Sequence, residues 1–126
     1  MKWESAPDIE TEIGILISEL KFIHLQKNRI FCFRGYGSSS RAIARIWSLP
    51  RIWQQALNTE PAYCLEVIAE KFDKLSRENK EKTLIHELVH IPQNFSGALV
   101  PHRKLKGKRF NENVNDFYDL FKKCLK

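Results

Sequence analysis

The segment His86-Glu87-Leu88-Val89-His90 contains two histidines four residues apart, with a glutamate directly after the first. On a helix, residues at positions i and i+4 project from one face with β-carbons about 6 Å apart, so both imidazoles can reach one tetrahedral zinc ion. Glu87 then lies beside the metal, where its carboxylate can take a proton from a water molecule that attacks a carbonyl carbon. The spacing therefore predicts a zinc (Zn2+) site and metal-assisted hydrolysis, with Leu88 and Val89 in the core beneath the metal.

A third ligand must come from elsewhere in the chain, because a catalytic zinc usually takes three protein ligands and keeps one position open for water. The metzincin pattern is excluded, since Gln93 and Ser96 stand where it requires a glycine and a histidine. His102 lies twelve residues after His90, in a segment with turn residues that can fold back towards the helix. We predict His102 as the third ligand, and Glu112 on a later helix is the alternative.

The two histidines need a helix that ends close to them. Residues 76–91 have a helical pattern, and their apolar positions lie along one side: Leu84, Leu88 and Ile91. Ser76 is a candidate N-cap. Pro92 lacks a backbone N–H and disfavours a helical conformation at the residue before it, so the helix is predicted to end just after His90.

The remaining elements follow from periodicity and composition. Strands are predicted over residues 29–34, 42–47 and 63 to about 70, and residues 51–57 form a short helical or irregular connection. A first helix is predicted over residues 8–23, capped by Ser5 or Asp8, with one apolar face that includes Ile23. A last helix is predicted to begin at an Asn113 cap and to share one face among Val114, Phe117, Phe121 and Cys124.

These elements predict an α+β fold. The first helix and the catalytic helix pack on a small mixed sheet of three or four strands, a C-terminal helix completes it, and the active site lies between the catalytic helix and the sheet edge. A length of 126 residues fits one domain, so residues 1–126 are treated as a single unit.

Charge and composition limit the function classes. The net charge is +6, with much of it in residues 103–109 and in Lys122-Lys123, and such a basic stretch could attract phosphate or an acidic substrate. Because no aromatic-interleaved signature accompanies these charges, a nucleic-acid partner has little support, and a solvated surface is the simpler interpretation. No apolar run is long enough for a bilayer and no signal-peptide core is present, so a cytoplasmic location without membrane association is expected.

Several other residue types were considered for function. Cys32, Cys64 and Cys124 are widely spaced and form neither a disulfide framework nor a CxxC pair, so reduced thiols are expected. Tyr63 and Tyr118 could donate to an oxyanion, but packed tyrosines are the simpler interpretation. Two tryptophans, Trp47 and Trp53, are expected to anchor the core, and His24 is expected at the surface or at a helix end rather than as a metal ligand.

A resemblance to a known family supports the predicted zinc site and fold. Residues 82–92, followed by residues 95–102, resemble small metallopeptidases of archaea and phages, which are relatives of SprT/Spartan-like zinc peptidases. Residues 63–76 resemble the segment before the catalytic helix, and the resemblance spans about residues 42–110. It implies a zincin-like fold, zinc bound by His86, His90 and His102, Glu87 as acid and base, and a peptide or protein substrate. A non-catalytic zinc-binding module, regulatory or associated with nucleic acid, is the alternative function.

Overall fold

The computed structural model describes residues 2–101 and 110–124, which form one four-stranded sheet and five α-helices. The strands are β1 (Lys2–Ser5), β2 (Ile30–Tyr36), β3 (Ala44–Ser48) and β4 (Tyr63–Ile68). The helices are α1 (Pro7–Glu19), α2 (Arg51–Leu57), α3 (Ala69–Phe72), α4 (Arg77–Val89) and α5 (Phe110–Cys124). None of these helices is both long enough and apolar enough to cross a membrane.

The sheet is mixed, with the strand order β1-β2-β4-β3. The two central strands, β2 and β4, run parallel, whereas β1 pairs antiparallel with β2 and β3 pairs antiparallel with β4. Within the described part of the chain β3 is therefore an edge strand. One row of its backbone N–H and C=O groups faces away from the sheet, which is the geometry that can accept an added strand.

The core lies on one face of the sheet. Buried strand residues, such as Cys32, Leu65 and Val67, pack in one cluster with apolar residues of α1 and α4. On α4 these residues are Leu84, Ile85 and Leu88, each no more than 1% exposed. Burial of an aliphatic side chain of this size contributes about 1.5–3 kcal/mol. This packing favours one rotation of α4 on the sheet and so determines where the polar side of α4 points.

The α+β class and a helix over most of the predicted range 76–91 are confirmed. Helix α4 spans nearly all of the predicted range, and the Ser76 hydroxyl caps it by accepting a hydrogen bond from the Asn79 backbone N–H at 3.2 Å. The helix ends at Val89 with His90 as its C-cap, directly before the Ile91-Pro92 pair, as the proline predicts. The three predicted strands also form, with ends shifted by one or two residues.

The first helix is shorter than predicted. It ends at Glu19 rather than at residue 23, because Lys21 adopts a left-handed backbone conformation with a φ of 54° that turns the chain away from the helix axis. The placement of Ile23 on the buried face was wrong, since its side chain is 94% exposed.

The predicted caps of this helix were also wrong. Ala6 occupies the N-cap position and Pro7 follows at the first helical position, where a missing backbone N–H costs no hydrogen bond. Ser5 belongs to β1, and Asp8 instead binds the guanidinium of Arg34 at 2.7 Å.

Two predictions at the chain ends need correction. Strand β1 was missed, because all four of its residues are exposed and show no apolar alternation. Helix α5 begins at Phe110, so Asn113 lies inside the helix and is not its cap. The predicted apolar face is confirmed for Val114 and Phe121, which are buried, and for Phe117, which packs against the core.

The prediction that Trp47 and Trp53 anchor the core was wrong. Trp47 is 48% exposed on the outer face of the sheet, and Trp53 is 56% exposed on α2. Helix α2 has no buried residue, so its apolar side chains do not contribute to the core.

Candidate metal centre

His86 and His90 lie one turn apart at the C-terminal end of α4. Their ring centroids are 5.1 Å apart and the ring planes make an angle of 71°. Both rings are half-buried, whereas Leu88 is 1% exposed in the core. The core contacts of α4 thus leave both imidazoles on the side of the helix that lines a groove beside β3.

The main chain of Val100 holds His90 at two points. The Nδ1 atom of His90 lies 2.5 Å from the carbonyl oxygen of Val100, and the Val100 N–H donates to the His90 carbonyl at 2.7 Å. Because a carbonyl oxygen only accepts, Nδ1 carries the proton in this contact and Nε2 keeps a lone pair. Metal-bound histidines commonly donate their other ring N–H to a carbonyl in this way, which fixes ring orientation and tautomer. Sequence reasoning missed Val100, because a backbone acceptor leaves no signal in residue type.

The carboxyl group of Glu87 is buried next to the histidine pair. Glu87 is 6% exposed, and this burial raises the pKa of its carboxyl from 4.5 to about 7. A group with a pKa near neutrality can accept a proton and return it at physiological pH, which general acid–base catalysis requires.

His86 and Glu87 lie where two grooves meet. Each groove has a volume of about 630 Å³. The first continues towards His90 and is largely apolar, with walls that include Ala44, Ile46, Leu99 and Pro101. The second continues towards α5 and is more polar, with walls that include Arg41, Asn79, Lys82 and Asn115. Because both grooves share His86, Glu87 and Ala44, together they form a cleft between α4 and the edge strand β3.

Hydrogen bonds to the buried Tyr63 stabilise the loop over residues 95–100, which brings Val100 to His90. The hydroxyl of Tyr63 donates to the Ala98 carbonyl at 2.8 Å and accepts from the Gly97 N–H at 2.9 Å. Gly97 has a φ of 94°, and a Cβ there would lie 2.6 Å from the carbonyl oxygen of Leu49, so only glycine fits without strain. Phe95 packs its ring edge-on against Tyr63, with centroids 5.0 Å apart.

These contacts also answer the question about the two tyrosines. Tyr63 is packed, and its hydroxyl is engaged with the loop. Tyr118 is 5% exposed, and its hydroxyl lies 3.5 Å from Glu81. His24 is half-buried near Phe22 and the backbone of Ile91, where burial lowers its pKa.

The structure does not reach every predicted site residue. His102 and the basic residues 103–109 lie outside the described residues, and so does the side chain of Glu112. Among the described residues no three histidine, cysteine, aspartate or glutamate side chains form a group that could hold a metal ion. The structure therefore brings together His86, Glu87 and His90, and the third ligand stays a prediction. Cys32 and Cys64 are free thiols, as predicted.

Comparison with known families gives one match, to the model of the family described as "Putative phage metallopeptidase", over residues 1–124. The chain belongs to this family. No match was found among curated proteins or among solved structures.

Membership of a phage metallopeptidase family places the chain among metal-dependent peptidases, which act on peptides or proteins. The match includes the whole of α4 and the cleft beside it. Imidazole is a common metal ligand, so His86 and His90, one turn apart at the end of α4, are two donors that suit a metal-dependent peptidase.

Proposed function

We propose that this member of the family is a zinc-dependent peptidase in which His86 and His90 bind the metal and Glu87 acts as general base and then as general acid. The observation that carries the proposal is the grouping of these three side chains on the cleft side of α4. The contact between His90 and Val100 adds to it, since it presents the Nε2 lone pair that a metal ligand needs.

His102 is proposed as the third ligand. It follows Val100 by two residues, and two residues span at most about 7 Å of chain. Because Val100 is hydrogen-bonded to His90, the short chain distance from Val100 supports His102 as the third ligand. Glu112 is the competing ligand, since it belongs to α5, which packs against α4. Imidazole donors with one open position favour zinc over the harder divalent cations, which prefer oxygen ligands.

Zinc bound there would polarise the scissile carbonyl and lower the pKa of the attacking water towards neutrality. Glu87 takes the proton from that water and later delivers it to the amine that leaves. Its buried position excludes bulk solvent and raises its pKa to about 7, so the carboxyl can return the proton to the amine. A substrate in extended conformation can pair with the open edge of β3, which would place its backbone along the cleft.

We also propose that the fold is zincin-like and that the chain is related to SprT-like peptidases. A small mixed sheet with one edge strand beside a helix that carries HExxH supports both.

Metal content of the purified chain tests the metal site. We expect about one zinc per chain, lost in His86→Ala, His90→Ala and His102→Ala but kept in Glu112→Ala. Loss in Glu112→Ala with retention in His102→Ala would reverse the ligand assignment. No bound metal after zinc is supplied would remove the enzymatic proposal.

Hydrolysis of a peptide library tests the catalytic role. Glu87→Gln is the matched control, because it keeps side-chain size and removes the acid–base group. We expect Glu87→Gln to retain zinc and lose cleavage. If Glu87→Gln had the same biological effect as the natural chain, a non-catalytic zinc-binding module would be favoured instead.

A further inference from the structure

The sheet face opposite the core carries two exposed tryptophans that are held by one buried carboxylate. Glu66 is 1% exposed, yet its Oε2 accepts from Trp3 Nε1 at 2.9 Å, and its Oε1 accepts from Trp47 Nε1 at 2.9 Å. Arg45 Nε donates to the same Oε1 at 2.6 Å, and its guanidinium lies 5.1 Å from the Trp47 ring centroid. Trp3 and Trp47 remain 54% and 48% exposed. Exposed tryptophans are rarely needed for a fold, so this bracing points to a binding role.

The two tryptophans border a pocket of about 390 Å³, here called the tryptophan pocket, whose walls are Trp3, Phe33, Trp47, Cys64 and Glu66. The surface of the tryptophan pocket is apolar, because the three donors and the neighbouring rings cover the Glu66 carboxylate. The hydrogen bonds from both indole N–H groups to Glu66 restrain the two tryptophan rings, which lowers the entropy cost of binding a ligand between them. An aromatic or branched aliphatic side chain matches its chemistry.

The charges of this face favour a polypeptide over a nucleic acid. The register of the described strands puts Arg45 and Glu66 opposite each other, and they are the charged strand residues on the outer face. They form an ion pair, so their charges cancel. Nucleic-acid binding depends on uncompensated positive charge near the phosphates, which these strands do not supply here.

Strand β3 connects the tryptophan pocket to the cleft. Ile46 lines the cleft on one face of β3, and the next residue, Trp47, lines the tryptophan pocket on the other. Adjacent strand residues point to opposite faces. A polypeptide that leaves the cleft over the edge of β3 needs to cross about 10 Å, which about three extended residues can span.

We propose that the tryptophan pocket is an exosite, which binds an apolar or aromatic side chain of the polypeptide substrate a few residues from the bond that lies in the cleft. This inference rests on the proposed peptidase function. It predicts selection of substrates by a side chain remote from the scissile bond.

NMR spectroscopy of the indole N–H groups tests the tryptophan pocket directly, because the chain has three tryptophans and each gives one signal. The full chain with Glu87→Gln would be titrated with two short synthetic peptides. They are identical except at one position, which is phenylalanine in one peptide and serine in the other. We expect the phenylalanine peptide to shift the Trp3 and Trp47 signals and leave Trp53 unchanged. We expect it to bind about tenfold more tightly than the serine peptide, a difference of about 1.4 kcal/mol. Equal binding of the two peptides, or a stronger response to single-stranded oligothymidylate, would overturn the proposal.

Cleavage kinetics with Glu87 intact separate this inference from the proposed function. Trp3→Ala or Trp47→Ala should raise KM for the phenylalanine peptide by about tenfold with little change in kcat, which corresponds to lost binding remote from the chemistry. Trp53→Ala is the matched control, since Trp53 is equally exposed but lies on α2. Unchanged KM in both pocket variants would refute the exosite while peptidase activity stands. Indole shifts without cleavage of either peptide would refute the peptidase function while polypeptide binding by the pocket stands.

Discussion

The carbonyl oxygen of Val100 accepts a hydrogen bond from Nδ1 of His90, and the N–H of Val100 donates to the carbonyl of the same histidine. This reciprocal contact ties the loop after α4 back to the end of α4. The orientation of the His90 ring therefore depends on a loop that Tyr63 fastens from the central strand β4. The candidate metal centre is thus a joint product of one helix and of the sheet beneath it.

Tyr63→Phe should weaken zinc binding. The change leaves the Gly97 N–H and the Ala98 carbonyl without their partner, which frees the loop that orients His90. We expect a loss of about tenfold in zinc affinity, as for other groups that orient a metal ligand, and about 1–3 kcal/mol of stability. Competition with a chromophoric chelator measures the first, and urea unfolding measures the second. Tyr36→Phe, in β2, serves as the control, and reduced stability with unchanged zinc affinity would show that the loop does not position His90.

Glu87→Gln should stabilise the metal-free chain at neutral and higher pH. Since the folded-state pKa of Glu87 is raised to about 7 from 4.5, the folded chain holds this proton over a range in which the unfolded chain releases it. Stability therefore falls as pH rises from about 4.5 through about 7, by at most about 3 kcal/mol.

Unfolding free energies with a chelator present, at about pH 5 and about pH 8, test this. The difference between the two pH values should be smaller in Glu87→Gln than in the natural chain. The comparison between the two proteins isolates the contribution of Glu87 from the contributions of the other titrating groups. An equal pH dependence in both proteins would count against a buried, uncharged Glu87.

Glu66→Gln should make the chain less stable above about pH 4.5 and have little effect in acid. Burial opposes ionisation of Glu66, but hydrogen bonds from Arg45, Trp47 and Trp3 outweigh it and hold the pKa of the carboxyl below its ordinary value of 4.5. A lowered folded-state pKa contributes stability that is present above the unfolded value and is lost as pH falls through the folded value. We expect a cost of about 1–3 kcal/mol at neutral pH, typical of lost hydrogen bonds to a charged group.

Tryptophan fluorescence during urea unfolding measures the free energy of unfolding of Glu66→Gln and also reports on the surroundings of the two indoles. The emission of the folded state should change as well, because both indoles lose a charged partner. A variant as stable as the natural chain at neutral pH would show that the carboxylate does not hold the two rings.

Arg34→Met should have a small effect on stability and none on zinc binding. Arg34 pairs with Asp8 at 2.7 Å and with Asp73 at 3.0 Å, which joins α1 to the segment before α4. These carboxylates are 60% and 44% exposed, so solvent screens the interaction and we expect a cost of only about 1 kcal/mol. The cost should shrink at high salt, as measured by urea unfolding. A large drop in zinc affinity would mean that α1 contributes to the orientation of α4.

Parts of the fold that depend on local signals were predictable. Ser76 as a cap, Pro92 as a stop and the apolar positions between them are neighbours in sequence, so the pattern over residues 76–91 predicted α4 almost to its ends. The early end of α1 was missed, because the left-handed turn at Lys21 involves a residue type that rarely adopts it. Trp47 and Trp53 were misplaced because hydrophobicity alone does not distinguish a core residue from an exposed one.

The sequence by itself determined the spacing of His86, Glu87 and His90 and the helix that presents them, since helical periodicity, capping and proline all act within a few residues. Only the tertiary structure decided what surrounds them. The edge position of β3, the carbonyl of Val100 at His90 and the carboxylate of Glu66 beneath Trp3, 63 residues away in the chain, come from pairings between distant segments. Such pairings are selected by the burial of the whole core and by strand register, and no local pattern encodes them.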